Sequence, residues 1–160
     1  MTVKSPPSVL GGSFLVAFTH ADESVEFEQR RTLSVDGEWL GRVPCLAICQ
    51  DFDTREFMVM HCDDEWGPLG IAAGYTSPDE AKQSAEASYP GISAKWIAAG
   101  STFEEARVLW MADLKAESCL FCGRTPLEVT SMIGSKARIC NYCIDEFHRA
   151  LHTAVGNMRE

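Results

Sequence analysis

The stretch CLFCGRTPLEVTSMIGSKARICNYC (residues 119–143) holds four of the chain's seven cysteines as two C-x-x-C pairs, with seventeen residues between Cys122 and Cys140. Such pairs serve metal binding, dithiol redox chemistry or a disulfide framework. A redox pair of the thioredoxin kind sits at a strand–helix junction of a βαβ unit, and neither pair here has that setting. An odd number of cysteines without an export signal speaks against disulfides and for a reducing cytoplasm. The start of the chain is a poor signal peptide, because its apolar run is brief and His20, Asp22 and Glu23 follow at once. Metal is the favoured reading. Two C-x-x-C knuckles supply a tetrahedron of Cys119, Cys122, Cys140 and Cys143, and Gly123 stands where the first knuckle must turn tightly. Zinc fits this set; a four-thiolate tetrahedron also suits iron, so the spacing assigns the ligands rather than the ion. Four thiolates leave no open position, so the metal supplies folding energy rather than Lewis acidity.

Between the pairs, Thr125, Pro126 and Glu128 form a helix-start signature. A short helix is expected over roughly 126–133, ended by Gly134. From Asn141 a terminal helix is expected, with Ile144, Phe147, Leu151 and Val155 on one face packing against the metal-pinned core.

The segment ESCLFCGRTPLEVTSMIGSKARICNYCIDEFHRAL (117–151) resembles the zinc-binding domain of the ClpX family, the unfoldase partner of a protease. The likeness lies in CLFCG, the EV that follows, MIG and ICNYCID. It implies one zinc ion on the four cysteines, dimerisation, and docking of adaptors or substrates. The pattern departs from the family in three ways. The module follows another one instead of preceding an ATPase, no G-x-x-x-x-G-K-[ST] occurs, and Lys136 and Arg138 stand where the family is more hydrophobic.

Upstream the periodicity is that of a sheet. Residues 13–20, 42–50, 55–62 and 67–75 read as strands, and 24–35 alternates imperfectly before the Asp36–Gly37 turn. Ser77, Pro78 and Glu80 open a helix that Pro90–Gly91 ends, and 92–99 reads as a returning strand. Thr102 and Glu105 open a second helix, with Phe103, Ala106, Leu109, Trp110 and Leu114 as its buried stripe. The expected fold class is therefore α+β: an acidic domain over 1–116, an antiparallel sheet with helices, followed by a C4 zinc domain of treble-clef type over 117–160.

The net charge of −9 is unevenly placed. Residues 1–118 carry 9 basic and 19 acidic side chains, whereas 119–160 carry 5 and 4. This opposes nucleic-acid binding, even though Arg124, Lys136, Arg138 and Arg149 offer a small basic face, and it favours a basic protein partner for the N-terminal domain. No apolar stretch is long enough to span a membrane.

Other candidates are weaker. Cys45 and Cys49 would lie about 13 Å apart on one strand face, too far to share a metal. In HCDDEW (61–66), His61 and Cys62 could form a catalytic pair, but adjacent strand residues face opposite ways, and Asp63, Asp64 and Glu65 suit a solvated turn. His148 and His152 share a helix face as surface residues, and Trp39, Trp66, Trp96 and Trp110 read as core. The expectation is a non-enzymatic protein-interaction or adaptor-like protein whose zinc module docks or self-associates. The alternatives are an immunity or inhibitor protein whose acidic domain neutralises a toxin, and an enzyme sited near His61 and Cys62.

Overall fold

A computed structural model describes residues 4–30, 33–135 and 137–157, with side chains through residue 153. The chain forms two compact units, Met1–Val108 and Leu109–Glu160. The division falls inside a helix, α2 (Phe103–Ala116).

The N-terminal unit is built on an antiparallel sheet. Its strands are β1 (Val9–Leu10), β2 (Ser13–His20), β5 (Cys45–Gln50), β6 (Phe57–Cys62) and β7 (Pro68–Tyr75), adjacent in that order, with β8 (Ile97–Ala98) added to β2. A separate hairpin, β3 (Ser34–Val35) and β4 (Glu38–Trp39), turns through Asp36 and Gly37, both at positive φ. That is the backbone which Asp-Gly favours in a two-residue hairpin loop.

Both faces of the sheet are buried. On β5, Leu46 and Ile48 point to one face and Cys45, Ala47 and Cys49 to the other, and all five are buried. The first face is covered by α1 (Pro78–Ser88) and by the irregular segment 21–30. Helix α1 starts as its residues dictate: the Ser77 side chain accepts the Glu80 N–H at 3.1 Å, with Pro78 at the first helical position. Phe27 then lies on Tyr89, ring centroids 5.1 Å apart, and the Tyr89 hydroxyl accepts the Val43 N–H at 2.9 Å. The second face is lined by Leu15, Cys45, Ala47, Cys49, Met58, Met60 and Cys62. It is closed by curling. Gly11, at positive φ, approaches Met60 and Pro68 so closely that a Cβ there would lie 3.2 Å from the Met60 methyl, and the Trp66 indole donates to the Lys4 carbonyl at 2.7 Å.

Four expectations are corrected by this geometry. Residues 24–30 are not a strand: Val25 and Phe27 face the core while the Arg42 guanidinium holds the Val25 and Ala21 carbonyls, so side-chain bonds replace a ladder. Residues 92–95 form a 3-10 turn entered at Gly91, and only Ile97–Ala98 pairs with β2. On α2, Ala106 is buried, Phe103, Trp110 and Leu114 are half-buried, and Leu109 is exposed. The first turn is held by Phe103, which packs edge-on to Phe14 and Phe52 beneath Arg55. Of the four tryptophans Trp66 is buried, Trp96 and Trp110 are half-buried, and Trp39, on the separate hairpin, is exposed. The capping box of Thr102 and Glu105 forms as read.

Tyr89→Phe tests the joint between the irregular segment and the sheet. It removes the only acceptor that the described residues give the buried Val43 N–H, and should destabilise the unit by about 1–3 kcal/mol in urea unfolding followed by sheet circular dichroism. An unchanged midpoint would show that the bond carries no stability.

Candidate metal centre

The C-terminal unit is organised by two turns that bring four sulfurs together. In the first, the Cys119 N–H donates to the Arg124 carbonyl and the Gly123 N–H to the Cys119 carbonyl, each at 2.8 Å, with Gly123 at φ 74°. A residue with a Cβ is disfavoured there, which is the reason for glycine after the second cysteine. The second turn comes from a hairpin, β9 (Met132–Ile133) with β10 (Ile139–Cys140), whose end runs into α3 (Asn141–Asn157). Cys140 ends β10 and Cys143 lies in the first turn of α3, so strand and helix each supply one ligand.

The sulfurs of Cys119, Cys122, Cys140 and Cys143 all lie within 4.8 Å of one another. Cys119 Sγ is 3.8 Å from Cys143 Sγ, and Cys122 Sγ is 3.6 Å from Cys140 Sγ. A tetrahedron with zinc–sulfur bonds of about 2.3 Å has edges of about 3.8 Å, so the set is already the right size. Cys119, Cys140 and Cys143 are buried and Cys122 is exposed.

The electrostatics of the thiols agree. Burial pushes Cys119 up, but N–H donors from Cys122, Cys140 and Phe121 outweigh it and hold the thiol down at about 6. Cys140 is also lowered: burial opposes ionisation, and the Cys143 backbone and the Cys122 thiol overcome it. Cys143 goes the other way, pushed up to about 12 by burial and then by its three neighbours. Four sulfurs at these separations resist a fourth negative charge unless a cation sits among them. Zinc fits the site. Around it, Cys140 N–H donates to Cys119 Sγ at 3.4 Å, and Arg124 reaches Cys122 Sγ at 3.7 Å while lying over the Tyr142 ring. Such outer contacts orient thiolates and offset their charge.

Residues 117–153 match the family model of the ClpX C4-type zinc finger. This segment is a ClpX-type zinc-binding module. The match leaves the residues before 117 unassigned, and no curated protein and no solved structure matches the chain.

Two local expectations fail inside the module. The helix expected over 126–133 is a single 3-10 turn, Pro126–Glu128, although the capping box of Thr125 and Glu128 is present. Val129 is extended, the chain enters β9, and Gly134 turns the hairpin at φ 103°, where a Cβ would collide with the Ala137 carbonyl. The demand for a β-hairpin under the second knuckle outweighs a start signal worth only one turn. The apolar face of α3 is also not packed as read: Ile144 is half-buried, whereas Phe147 and Leu151 are exposed, and Val155 lies outside the described side chains.

The other sequence candidates are placed as follows. Cys45, Cys49 and Cys62 lie together under the curled sheet; burial raises all three thiols, Cys45 to about 11 and Cys62 to about 12. His61 faces the opposite side of β6 from Cys62, so the two do not form a pair. Asp63 organises its turn, its carboxylate accepting the Glu65 and Gly67 N–H groups, while Asp64 and Glu65 are exposed. His148 and His152 are exposed with Nε2 atoms 3.0 Å apart. Of the basic face, Arg124 serves the metal site, Arg138 holds the Ala116 carbonyl and Glu117, Arg149 donates to the Asp145 carbonyl, and Lys136 lies outside the described residues.

Cys140→Ser replaces a central, buried thiolate with a hydroxyl that has neither its charge nor its softness. The expected protein has less than stoichiometric zinc by elemental analysis, reduced helical signal, retained sheet signal, and protease cleavage beginning near residue 118. Alkylation of the wild type should separate the two thiol classes. With zinc bound none of the seven cysteines reacts quickly; after chelation the four metal-site thiols do, and Cys45, Cys49 and Cys62 still resist. Stoichiometric, tight zinc in Cys140→Ser would remove Cys140 from the ligand set.

Proposed function

We propose that this is a non-enzymatic interaction protein, and that its zinc module self-associates. The observation that carries the reading is the apolar surface around the metal site. Leu120, Phe121, Leu127, Ile133, Phe147 and Leu151 are all exposed, and Phe121 meets Phe147 edge-on at 5.1 Å between ring centroids. A metal-pinned unit this small needs its apolar residues inside, and a cluster of them outside marks an interface. The amphipathic face of α3 adds length to that patch, and a second copy would present the same patch to it. A closed four-sulfur site supports a scaffold over a catalyst. The N-terminal thiols held up by burial, and the separation of His61 from Cys62, support the same view.

The charge of the other unit suggests what else is bound. The N-terminal residues carry the acidic excess, and Asp64 and Glu65 project from an ordered turn, so a basic protein partner is the complement. An immunity or inhibitor protein covering the positive active-site mouth of a toxin is the narrower form of this reading. Protection by co-expression with the partner tests it, and absence of protection removes it.

Self-association is tested by light scattering on the eluting zinc-loaded protein. The expected mass is twice 17.6 kDa at high micromolar concentration, falling to 17.6 kDa after chelation and in Leu151→Asp, which leaves every zinc ligand in place. A zinc-loaded wild type that stays at the monomer mass overturns the proposal.

A further inference from the structure

Helix α3 carries Cys143 in its first turn and then runs on to Asn157. His148 and His152 stand on this stretch, four residues apart and both exposed. Four residues make little more than one helical turn, so the two rings lie one above the other on one face. The chain's other two histidines, His20 and His61, are on strands of the N-terminal sheet, each with a ring nitrogen buried.

The two α3 rings converge. Their Nε2 atoms are 3.0 Å apart and their ring centroids 4.3 Å, with the planes at 65°. Among the described residues each ring has the other as its polar partner and no second one. The polar neighbours on the helix are occupied with its backbone. Arg149 Nε donates to the Asp145 carbonyl at 3.4 Å, and the Thr153 hydroxyl donates to the Arg149 carbonyl at 3.0 Å.

A direct N–H···N bond accounts for little of this convergence. It needs a proton on one nitrogen and a lone pair on the other, and water serves two exposed imidazoles equally well. Holding two exposed side chains in one geometry also costs rotamer entropy. A metal ion that takes both lone pairs supplies far more, and the spacing suits one. Imidazole nitrogens bind zinc at about 2.0–2.1 Å, so two in adjacent positions are about 2.9 Å apart at a right angle and about 3.3 Å apart in a tetrahedron. The observed separation falls between these values, and exposed rings are free to turn both lone pairs onto one point. Imidazole selects copper, nickel and zinc, whereas magnesium and calcium take oxygen ligands.

We propose that His148 and His152 form a second metal site, an exposed two-histidine clamp for one divalent transition-metal ion of the copper, nickel and zinc group. The pair fills two coordination positions and leaves the others to water, in contrast to the closed shell of the four cysteines. Both ligands come from one helix of one chain, so the site does not rest on self-association.

The test uses the full-length protein, free of any polyhistidine tag and loaded with one zinc, titrated with nickel chloride by calorimetry in a buffer that does not bind metal. Nickel is the probe because it accepts nitrogen ligands and, unlike copper, does not oxidise thiols. One nickel per chain is expected, with zinc content unchanged by elemental analysis and no binding of magnesium. A second ligand on the same rigid helix makes its contact intramolecular, so His148→Gln and His152→Gln should each weaken nickel binding on the order of a hundred-fold. The double variant His152→Gln with Thr153→His keeps two histidines but moves the second around the helix, and should bind as weakly as His152→Gln. Equal nickel affinity in wild type and either single variant overturns the proposal. So does one nickel per two chains, loss of zinc in step with nickel uptake, magnesium binding of similar strength, or full affinity in the shifted variant.

Discussion

Four sulfur atoms held 3.6–3.8 Å apart along two edges of a tetrahedron set the terms for the C-terminal unit. Thiolates that close repel one another, and only a cation at the centre lets all four ionise. The surrounding backbone is arranged to serve that charge. Gly123 turns back through the first knuckle, the Cys140 N–H points at Cys119 Sγ, and Arg124 approaches Cys122 from outside. The buried cluster of the unit is little more than Cys119, Cys140 and Cys143 with Val129, Met132 and Ile139 against them. Apolar burial on this scale does not offset the chain entropy of about forty residues, and metal binding is the term that does.

The N-terminal unit solves the same problem without metal. Its sheet buries two faces at once, one beneath α1 and one by curling until β1 approaches the turn between β6 and β7. The curled interior is lined by Cys45, Cys49 and Cys62 with Ala47, Met58 and Met60, beside Leu10, Leu15 and Trp66. Seven cysteines therefore divide into two chemistries by environment alone. Three are small hydrophobes whose thiols burial holds neutral, and four are metal ligands whose sulfurs gather around one point.

Where local signal and tertiary demand agreed, the residues were readable. The two C-x-x-C pairs, the strands at 13–20, 45–50, 57–62 and 68–75, and the caps at Ser77 and Thr102 all depend on short-range chemistry. Reading failed where a distant partner decides. Thr125, Pro126 and Glu128 begin a helix convincingly, yet the chain is needed as β9 opposite Ile139, so the helix stops after one turn. Residues 24–30 have strand-like alternation because Val25 and Phe27 do face a core, but Arg42 and Ser88 satisfy backbone groups that a strand would have paired. Alternation reports burial on one side; it does not report who holds the backbone. A cavity beneath α1 was equally illegible. His61 was visible as a residue type, but the cavity it lines is bounded by Val59, Ala72, Ser84 and Ala85 from β6, β7 and α1, which only the fold brings together.

The two units thus place reactivity and recognition in opposite positions. In the C-terminal unit the zinc chemistry is closed, every ligand position filled by sulfur, and the apolar groups Leu120, Phe121 and Leu151 are what solvent meets. In the N-terminal unit two apolar clusters are enclosed, and Thr19 Oγ1, His20 Nε2, His61 Nδ1 and Trp96 Nε1 are buried without a hydrogen-bond partner among the described residues. Neither arrangement minimises free energy for an isolated chain: exposed leucine and phenylalanine cost hydration, and a buried lone pair without a donor costs its desolvation. An apolar surface brought against the first removes its cost, whereas the second is sealed within the fold, out of reach of any partner. The exposed apolar surface therefore carries the argument for binding, because its unmet interaction lies where a partner can reach it and its chemistry specifies what would meet it.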